Sequence, residues 1–488
     1  MSSTPRTPPP VAPPGQLTYP EPPERLRHRL TLLGAASVLG PGAIIASANI
    51  GSGEMIFASR GGSIFGYALL WAFVVAAITK AALAYSMNRY TVVAGEHPMT
   101  RWATLFPGPK GWFPIVFGLT SIAVVPSWVS GLGLGIGDLI GEQTFGTGAA
   151  WATLLIVLSA VLAWVGGYDR METAQTLIVG FMLLAVAVSV VVLEPDWLGV
   201  AGGLLPSVPD YPGWVAADYP DIAARSQWLE VGAYLGAIGG GTYDYIAYSG
   251  MLREKKWGML ENRNIMTLTE RYPGAGLRGE RLPLADDPAE VDKARGWSRV
   301  PLGDAILSFA AIVVFAGMFM TNGGSLLSES RQIPSDDQTL THQAGFLTAV
   351  HPTFEYLYYV AVFFAFFGSL YAFWEMYSYT AYESLGAVSE RVRLAGQRAV
   401  RPYMYVYMLV FALILVWTVR ELVVIVTPAS VLGGLLISGV FCLAIVWTEH
   451  KVLPKAYRLT TAGRWWVLLS GVFLMGLGVM STWQLVVG

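Results

Sequence analysis

The sequence predicts an all-α integral membrane protein with two inverted five-helix repeats and an additional eleventh helix, in which helices 1 and 6 are broken. The composition is the first observation behind this prediction. Of 488 residues, 54% are hydrophobic and 13% are charged, and the mean hydropathy is +0.51. This leaves too little charge to cover a water-soluble globule of this size. The second observation is that consecutive glycines interrupt two of the apolar segments.

Eleven segments are long and apolar enough to cross about 30 Å of hydrocarbon. We predict them at residues 31–60, 64–88, 112–137, 149–165, 172–193, 228–252, 302–326, 356–382, 403–419, 427–447 and 465–487. Residues 1–24 hold repeated prolines and no apolar run. We therefore expect a disordered cytoplasmic tail there and no signal peptide.

Interruptions in segments 1 and 6 divide the chain into two comparable halves. Residues 25–194 then form the first repeat, 195–227 an external loop, and 228–449 the second repeat, which contains a long cytoplasmic loop at 253–299. Residues 450–488 add a further loop and helix 11. Inverted repeats that each begin with a broken helix are typical of the LeuT-like architecture.

The distribution of basic residues predicts the orientation in the cell membrane. With the N-terminus inside, 26 of the 31 Lys and Arg residues fall in the tail and the cytoplasmic connections, four fall outside, and Lys80 lies within helix 2. Cytoplasmic connections are enriched in Lys and Arg, so we predict a cytoplasmic N-terminus and an external C-terminus. The external loop carries five acids, which form either an acidic vestibule or an ordinary solvated surface.

The two interruptions are the predicted binding site. A break at membrane depth is tolerated where it is buried in protein or lines a cavity, because lipid cannot satisfy the freed backbone groups. Paired breaks in the two halves also mark the binding site of secondary transporters. The candidate residues are Gly51, Ser52, Gly53 and Glu54 in the first break, and Gly240, Gly241, Thr242, Tyr243 and Asp244 in the second.

Each break carries one carboxylate, and each carboxylate has two possible roles. An acidic side chain inside a membrane is costly and is by default a functional candidate. Glu54 either binds a substrate or coupling ion, or accepts a hydrogen bond from a glycine amide of the opposite break. Asp244 either ligates a cation together with Glu54 or caps the second half of helix 6.

Lys80 lies midway along helix 2 among alanines, where an unpaired ammonium is very costly. We therefore expect a carboxylate partner that balances its charge. The two candidates are Glu375 in helix 8, which we favour, and Glu54. A Lys80–Glu54 pair would contradict a simple divalent-cation site.

Several short motifs resemble the Nramp family of divalent-metal transporters and its magnesium-transporting relatives. They are Gly40-Pro41-Gly42, Leu69-Leu70-Trp71 with Gly95, Gly167-Tyr168-Asp169-Arg170-Met171-Glu172, Gly203-Leu204-Leu205-Pro206-Ser207, and Asp304 at the start of helix 7. This resemblance implies a LeuT-like fold and a small inorganic cation as cargo.

The chain departs from this family at the site itself. Gly51–Glu54 stands in the register of the family's Asp-Pro-Gly-Asn, and Gly241–Asp244 stands in the register of its Met-Pro-His-Asn. The methionine sulfur and the histidine are therefore replaced. A shell of oxygen atoms suits hard ions such as Mg²⁺ or Mn²⁺. The resemblance thus implies a hard metal ion held by Glu54 and Asp244.

The expected function is secondary-active transport of a hard divalent cation by alternating access. The alternatives are transport of a small organic solute, such as an amino acid or an organic anion, and a sensor that binds without transporting. We expect no enzyme activity, no cofactor and no nucleic-acid partner. An ATP-driven pump is disfavoured because the sequence has no Walker-type phosphate loop.

Overall fold

The computed structural model describes residues 17–38, 40–49, 53–166, 177, 180, 183–184, 186–262, 266–334, 338–349 and 351–487. Within these residues the chain is helical, and its β-structure is confined to an isolated bridge between Leu17 and Leu284. Eight uninterrupted helices in this part are long and apolar enough to cross a membrane. The protein is therefore a multi-pass membrane protein, as its composition predicted.

The observed helices follow the order of the predicted segments, and each broken helix is divided into halves a and b. They are α1a (Pro41–Asn49), α1b (Met55–Phe65), α2 (Leu70–Ala94), α3 (Pro114–Gln143), α4 (Gly148–Gly166), α5 (described at 186–192), α6a (Gln227–Ala237), α6b (Thr242–Lys255), α7 (Pro288–Ser328), α8 (Phe354–Gly386), α9 (Gln397–Thr418), α10 (Leu422–Val452) and α11 (Thr461–Val487). Most of predicted segment 5, with the motif Gly167–Glu172, lies outside the described residues.

Glycines produce the break between α6a and α6b. Gly239 has φ +74° and Gly240 has φ +80°, a left-handed conformation that glycine adopts without strain. Gly53 serves a different purpose, because a Cβ atom there would lie 2.9 Å from the Ala237 carbonyl oxygen. The missing side chain lets the start of α1b approach the end of α6a closely. The predicted first break at Gly51 and Ser52 lies outside the described residues, and the described backbone shows the second break.

Asp304 on α7 holds the N-terminus of α1a. Its carboxylate accepts hydrogen bonds from the amides of Gly40 at 3.0 Å and Gly42 at 2.9 Å, and from the Tyr248 hydroxyl of α6b at 2.5 Å. A negative charge is favourable at a helix N-terminus, where unpaired amides point outward. One buried side chain on α7 therefore contacts both the start of α1a and α6b. This contact joins two of the motifs that resemble the Nramp family, Gly40-Pro41-Gly42 and Asp304.

The N-terminal segment is ordered earlier than predicted. The expected disordered tail reached residue 24, yet Leu17 and Tyr19 are buried. The Tyr19 hydroxyl donates to the Val93 carbonyl at 2.7 Å, and its ring stacks on Tyr457. The prediction is wrong for residues 17–24, because the large side chains of Leu17 and Tyr19, which lie between prolines, pack against the rest of the protein. Residues 1–16 lie outside the described part.

Helix α7 begins well inside the predicted loop 253–299. Its first residue is Pro288, and Asp287 caps it by accepting from the Ala289 amide at 3.0 Å. Hydropathy predicts a start at residue 302, because the charged residues in the first turns of this helix are not typical of a membrane segment. A cap followed by proline is a helix start signal that hydropathy does not register.

Contacts between the connections agree with the predicted alternation of the helices across the membrane. The N-terminal segment pairs with the 6–7 connection at Leu284 and stacks on Tyr457 of the 10–11 connection. On the opposite side, the Tyr219 hydroxyl of the 5–6 loop donates to the carbonyl of Arg331, which follows α7. The connections predicted to be cytoplasmic therefore share one face, and those predicted to be external share the other.

Candidate ion-binding site

The two carboxylates meet at the break of helix 6. Glu54 lies at the start of α1b and Asp244 lies in the first turn of α6b. Glu54 is 0% exposed and Asp244 is 1% exposed. Each interacts electrostatically with Lys80, and Glu54 also interacts with Asp244. The structure thus brings the three charged side chains of the sequence prediction together, whereas Gly51 and Ser52 lie outside the described residues.

Both carboxylates accept backbone hydrogen bonds in the break. One oxygen of Glu54, Oε1, accepts from the Gly239 amide at 2.9 Å. One oxygen of Asp244, Oδ2, accepts from the Gly241 amide at 2.8 Å, which caps α6b. The glycine-amide contact and the helix cap considered in the sequence analysis are therefore both present. Each of them uses a single oxygen of its carboxylate.

Lys80 is hydrogen-bonded to the backbone, and it forms no ion pair with a carboxylate among the described residues. Its ammonium donates to three backbone carbonyls of the break, those of Gly236 at 2.7 Å, Ile238 at 2.5 Å and Gly240 at 2.7 Å. An ammonium has three donors, so three acceptors satisfy it completely. The carbonyls at the end of α6a also carry the partial negative charge of a helix C-terminus. The expectation that Lys80 must pair with an acid is wrong because the unwound backbone supplies the acceptors.

Glu375 belongs to a different part of the scaffold. Its carboxylate forms an ion pair with Arg401 on α9 at 3.0 Å and accepts from Gln397 at 3.2 Å. The Arg401 guanidinium also lies over the rings of Trp164 and Tyr405. The favoured Lys80–Glu375 pair is therefore wrong, and Glu375 does not balance charge at the breaks. Arg401 lies one turn into α9, and from there its guanidinium reaches the Glu375 carboxylate.

Side chains and backbone together satisfy the polar groups that the second break exposes. The Tyr245 hydroxyl donates to the Gly239 carbonyl at 2.7 Å, and the Gly240 amide donates to the Ala237 carbonyl at 3.1 Å. Together with the contacts of Lys80, Glu54 and Asp244, these bonds give partners to the amides of residues 239–241 and to the carbonyls of residues 238–240. This is the condition under which an unwound helix is stable at membrane depth.

Four buried oxygen atoms around the break have no hydrogen-bond partner among the described residues. They are Oε2 of Glu54, Oδ1 of Asp244 and the hydroxyl oxygens of Tyr243 and Tyr377. Leaving a buried polar atom unpaired is costly, and the cost is larger for a charged group. The second oxygen of each carboxylate is thus available to a ligand. A cation between them would satisfy both oxygens at once.

Two further residues belong to this site that the sequence analysis did not select. Asn49 ends α1a, and a Cβ atom on Gly240 would lie 2.9 Å from its amide oxygen. Tyr377 of α8 interacts with Asp244, and its ring contacts that of Tyr243 edge-on. Asn49 had a sequence signal, since it is a polar residue directly before the first break. Tyr377 had none, because a tyrosine in an apolar helix is usually a packing residue.

Thr242 and the adjacent glycines shape the site. The Thr242 hydroxyl is hydrogen-bonded to Ser121 of α3 at 2.8 Å, so it ties α6b to the scaffold. Gly241 lies against the Tyr243 ring, where an added Cβ atom would approach to 2.8 Å. Thr242 is therefore a positioning residue, and the glycines give the rings and carboxylates room to converge.

An ion pair lies on the side of the site that is predicted to be external. It joins Arg60 of α1b to Glu230 of α6a at 3.6 Å. Beyond this pair lies a cavity of about 520 Å³. It is lined by Arg60, Asp138, Tyr219, Ile222, Arg225, Ile333, Pro334, Arg420, Glu421 and Val424. The lining includes three arginines and two acids, and the five acids of the external loop are absent from it. This cavity is therefore not the acidic vestibule that the five acids of the predicted external loop could form.

The chemistry of the site is that of oxygen donors. Two carboxylate oxygens and two phenol oxygens are available, and the Asn49 amide lies beside them. Within the described residues, no group of three or more His, Cys, Asp or Glu side chains is arranged to hold a metal ion. A cation at the breaks would thus have two anionic ligands and complete its shell with neutral oxygens. Mg²⁺ is commonly bound in this way, through one or two carboxylates and several waters.

Comparison with known proteins agrees with this architecture. The family model described as natural resistance-associated macrophage protein-like (Nramp) matches residues 42–217. A manganese transporter of Eremococcus coleocola, solved in complex with an aromatic bis-isothiourea-substituted compound, is 15% identical and superposes with a TM-score of 0.63. The alignment covers 93% of this chain and 87% of that chain. No curated protein sequence gives a significant match.

Two other similar structures extend the likeness beyond metal transporters. Mhp1, a nucleobase-cation-symport-1 family transporter in a closed conformation with bromovinylhydantoin, is 12% identical, with a TM-score of 0.52 and coverage of 92% of each chain. MhsT in complex with L-phenylalanine is 14% identical, with a TM-score of 0.50 and coverage of 91% of this chain and 98% of that one. These likenesses concern the fold. The predicted LeuT-like fold is confirmed for this multi-pass membrane protein, and the Nramp-like family model matches residues 42–217 of it.

Proposed function

We propose that the protein is a secondary-active transporter that moves a hard divalent cation, of the Mg²⁺ or Mn²⁺ class, by alternating access. The cation binds between Glu54 and Asp244, where the two broken helices meet. The cytoplasmic face is the one that carries the N-terminus and the basic 6–7 and 10–11 connections. The protein needs no catalytic residue for this function, since the cation crosses the membrane unchanged.

One observation carries the proposal more than any other. Two buried carboxylates, on different helices, each hold a backbone amide with one oxygen and leave the other unpaired. Neither carboxylate forms an ion pair with Lys80, because the ammonium is satisfied by carbonyls. The charges of Glu54 and Asp244 therefore remain available to a dication. The cation is released to one side when its contacts to one of the two helices break.

The same contacts disfavour an organic anion as the substrate. In that alternative, Lys80 would balance the negative charge of the solute. All three protons of its ammonium already point at carbonyl oxygens of the helix-6 break. An incoming carboxylate would have to displace these contacts and would also meet two acids. The available groups at the breaks are acceptors, which suits a cation.

Lys80 itself acts as a fixed cation at the end of α6a. Three converging carbonyl oxygens at the end of a half-helix are a suitable site for a monovalent ion. Here a covalently attached ammonium fills that position. The helix-6 break is thus stabilised without a dissociable ion. Transport by this protein therefore has no requirement for a monovalent cation at that position.

Ion competition tests the oxygen-only site. We expect Mn²⁺ and Mg²⁺ to compete for saturable uptake into proteoliposomes much more effectively than Cd²⁺, because soft ions prefer sulfur ligands. The measurement is inhibition of radiolabelled Mn²⁺ uptake by graded concentrations of each ion, with protein-free liposomes as the control. Inhibition by Cd²⁺ at lower concentrations than Mg²⁺ would mean that a sulfur atom reaches the ion, and the proposed shell would be wrong.

A further inference from the structure

A second cavity lies far from the breaks, on the face that carries the N-terminus. It has a volume of about 530 Å³ and is bounded by the end of α2, the start of α7, the 10–11 connection and the start of α11. We call it the basic pocket. Its lining includes six basic residues and no acidic residue, namely Arg89, Arg295, Arg299, Lys455, Arg458 and Arg464.

Most of this positive charge is not balanced by carboxylates. Arg89 pairs with Glu449 at 2.5 Å, but Arg299 donates to backbone carbonyls of Leu26 and Arg27. Within the described residues, Arg295, Lys455 and Arg464 form no ion pair. Glu290, in the first turn of α7, is engaged by Lys293 at 3.0 Å. The basic pocket therefore carries a local excess of positive charge.

Arg458 shows the clearest need for a partner. Its Nε donates to the Leu453 carbonyl at 3.0 Å, and Nη1 lies 3.1 Å from Nδ1 of His450. The remaining nitrogen, Nη2, is buried and has no partner among the described residues. Burial, and then the charge of nearby Arg281, lower the pKa of the Arg458 guanidinium below its ordinary value. The Glu449 carboxylate opposes this lowering of the pKa, but it is paired with Arg89 and leaves Nη2 of Arg458 without a partner.

The position of the basic pocket relative to the membrane identifies the kind of anion. Directly after Arg464, helix α11 presents Trp465 at 54% exposure and then Leu469 at 64% exposure. Trp466 stacks on Tyr85 of α2 with ring centroids 6.0 Å apart. Tryptophan and tyrosine rings gather at the level of the lipid headgroups, and apolar exposed side chains follow in the hydrocarbon. The pocket therefore opens where phospholipid headgroups lie.

We propose that the basic pocket binds a phosphate group, supplied by the headgroup of an anionic phospholipid whose acyl chains lie along α11. Arg458, Arg464 and Lys455 hold the phosphate, and the hydroxyls of Thr460 and Thr461 line the same cavity. Basic pockets between transmembrane helices on the cytoplasmic side recognise such headgroups. The bound lipid joins α2, α7 and α11, so it stabilises the folded protein. This proposal does not depend on the identity of the transported substrate.

Thermal unfolding of the purified protein tests the proposal. Detergent micelles receive phosphatidylglycerol, phosphatidylcholine or sodium phosphate in separate samples. We expect phosphatidylglycerol to raise the Tm of the wild type by several degrees relative to phosphatidylcholine, because a ligand that binds the folded state stabilises it. If sodium phosphate alone gives the same protection, the phosphate site is supported and its source is the free ion. If neither phosphatidylglycerol nor phosphate protects the wild type more than phosphatidylcholine does, the proposal is wrong.

Matched variants separate the pocket from general surface charge. The variant Lys455→Gln with Arg464→Gln removes two exposed charges from the pocket and should lose most of the stabilisation. The control, Arg391→Gln with Arg398→Gln, removes two exposed charges from the 8–9 connection and the first turn of α9 on the same face and should keep it. Arg458→Gln should behave like the pocket variant, and the first pair still decides the question if this protein does not fold. Equal stabilisation of the pocket variant and the control would overturn the proposal.

Discussion

Glu54→Gln abolishes saturable uptake of Mn²⁺ while leaving the fold intact, if the site is as proposed. Glutamine keeps the size of the side chain, and its amide oxygen can still accept from the Gly239 amide, as Oε1 does now. The substitution removes the charge from the unpaired oxygen that the cation would use. Losing an interaction with a charged group costs about 1.5–3 kcal/mol, which is about 10- to 150-fold in affinity. The measurement is the initial rate of Mn²⁺ uptake against concentration in proteoliposomes.

The matched control for this variant is Glu375→Gln. It also removes a carboxylate from a membrane helix, but one that pairs with Arg401 and lies away from the breaks. We expect its apparent affinity for Mn²⁺ to remain close to that of the wild type. Wild-type uptake by Glu54→Gln, together with normal thermal stability, would remove Glu54 from the site.

Lys80→Met strongly destabilises the protein, and this is the second large effect that we expect. The methionine retains the apolar stem but removes the donor that satisfies three buried carbonyls. An unsatisfied buried acceptor costs about 1–3 kcal/mol, and one substitution leaves three of them. The sequence alone allowed Lys80 either to block the site or to brace the scaffold. The observed contacts favour the second outcome, and the measurement is Tm in detergent together with the yield of monodisperse protein.

A comparison of two variants isolates the role of the carbonyls. If Lys80 acted through a carboxylate, removing that carboxylate would reproduce the defect. Glu375→Gln should therefore leave Tm much less affected than Lys80→Met does. Stability of Lys80→Met equal to that of the wild type would contradict the bracing role.

Much of the fold was accessible from the sequence because hydropathy and glycine placement report on it directly. Apolar segments must be about 20 residues long to cross the bilayer, so their order could be determined by inspection. The two glycine-rich breaks were recognisable for a similar reason, since few other residues adopt the backbone of Gly239 and Gly240 without strain. The segment ends were less accessible, because a cap such as Asp287 extends a helix without any change in hydropathy.

The charge network of the site was harder to predict. A buried ammonium requires a compensating group, but that group need not be the side chain of an acid. Backbone carbonyls become available to Lys80 only because the chain is unwound between α6a and α6b. The sequence cannot specify which carbonyls point inward. The pairing of Glu375 with Arg401 likewise depends on the angle between two helices, which no local pattern encodes.

Titration calorimetry with Mn²⁺ tests the central claim, that a divalent cation binds between Glu54 and Asp244, most directly. The two proteins to compare are the purified wild type and the double variant Glu54→Gln with Asp244→Asn, whose amide oxygens retain the ability to accept from Gly239 and Gly241. The proposed site predicts one saturable Mn²⁺ site in the wild type and none in the double variant, with both proteins folded. Unchanged Mn²⁺ binding by the folded double variant would contradict it, as would a folded wild type that binds no divalent cation.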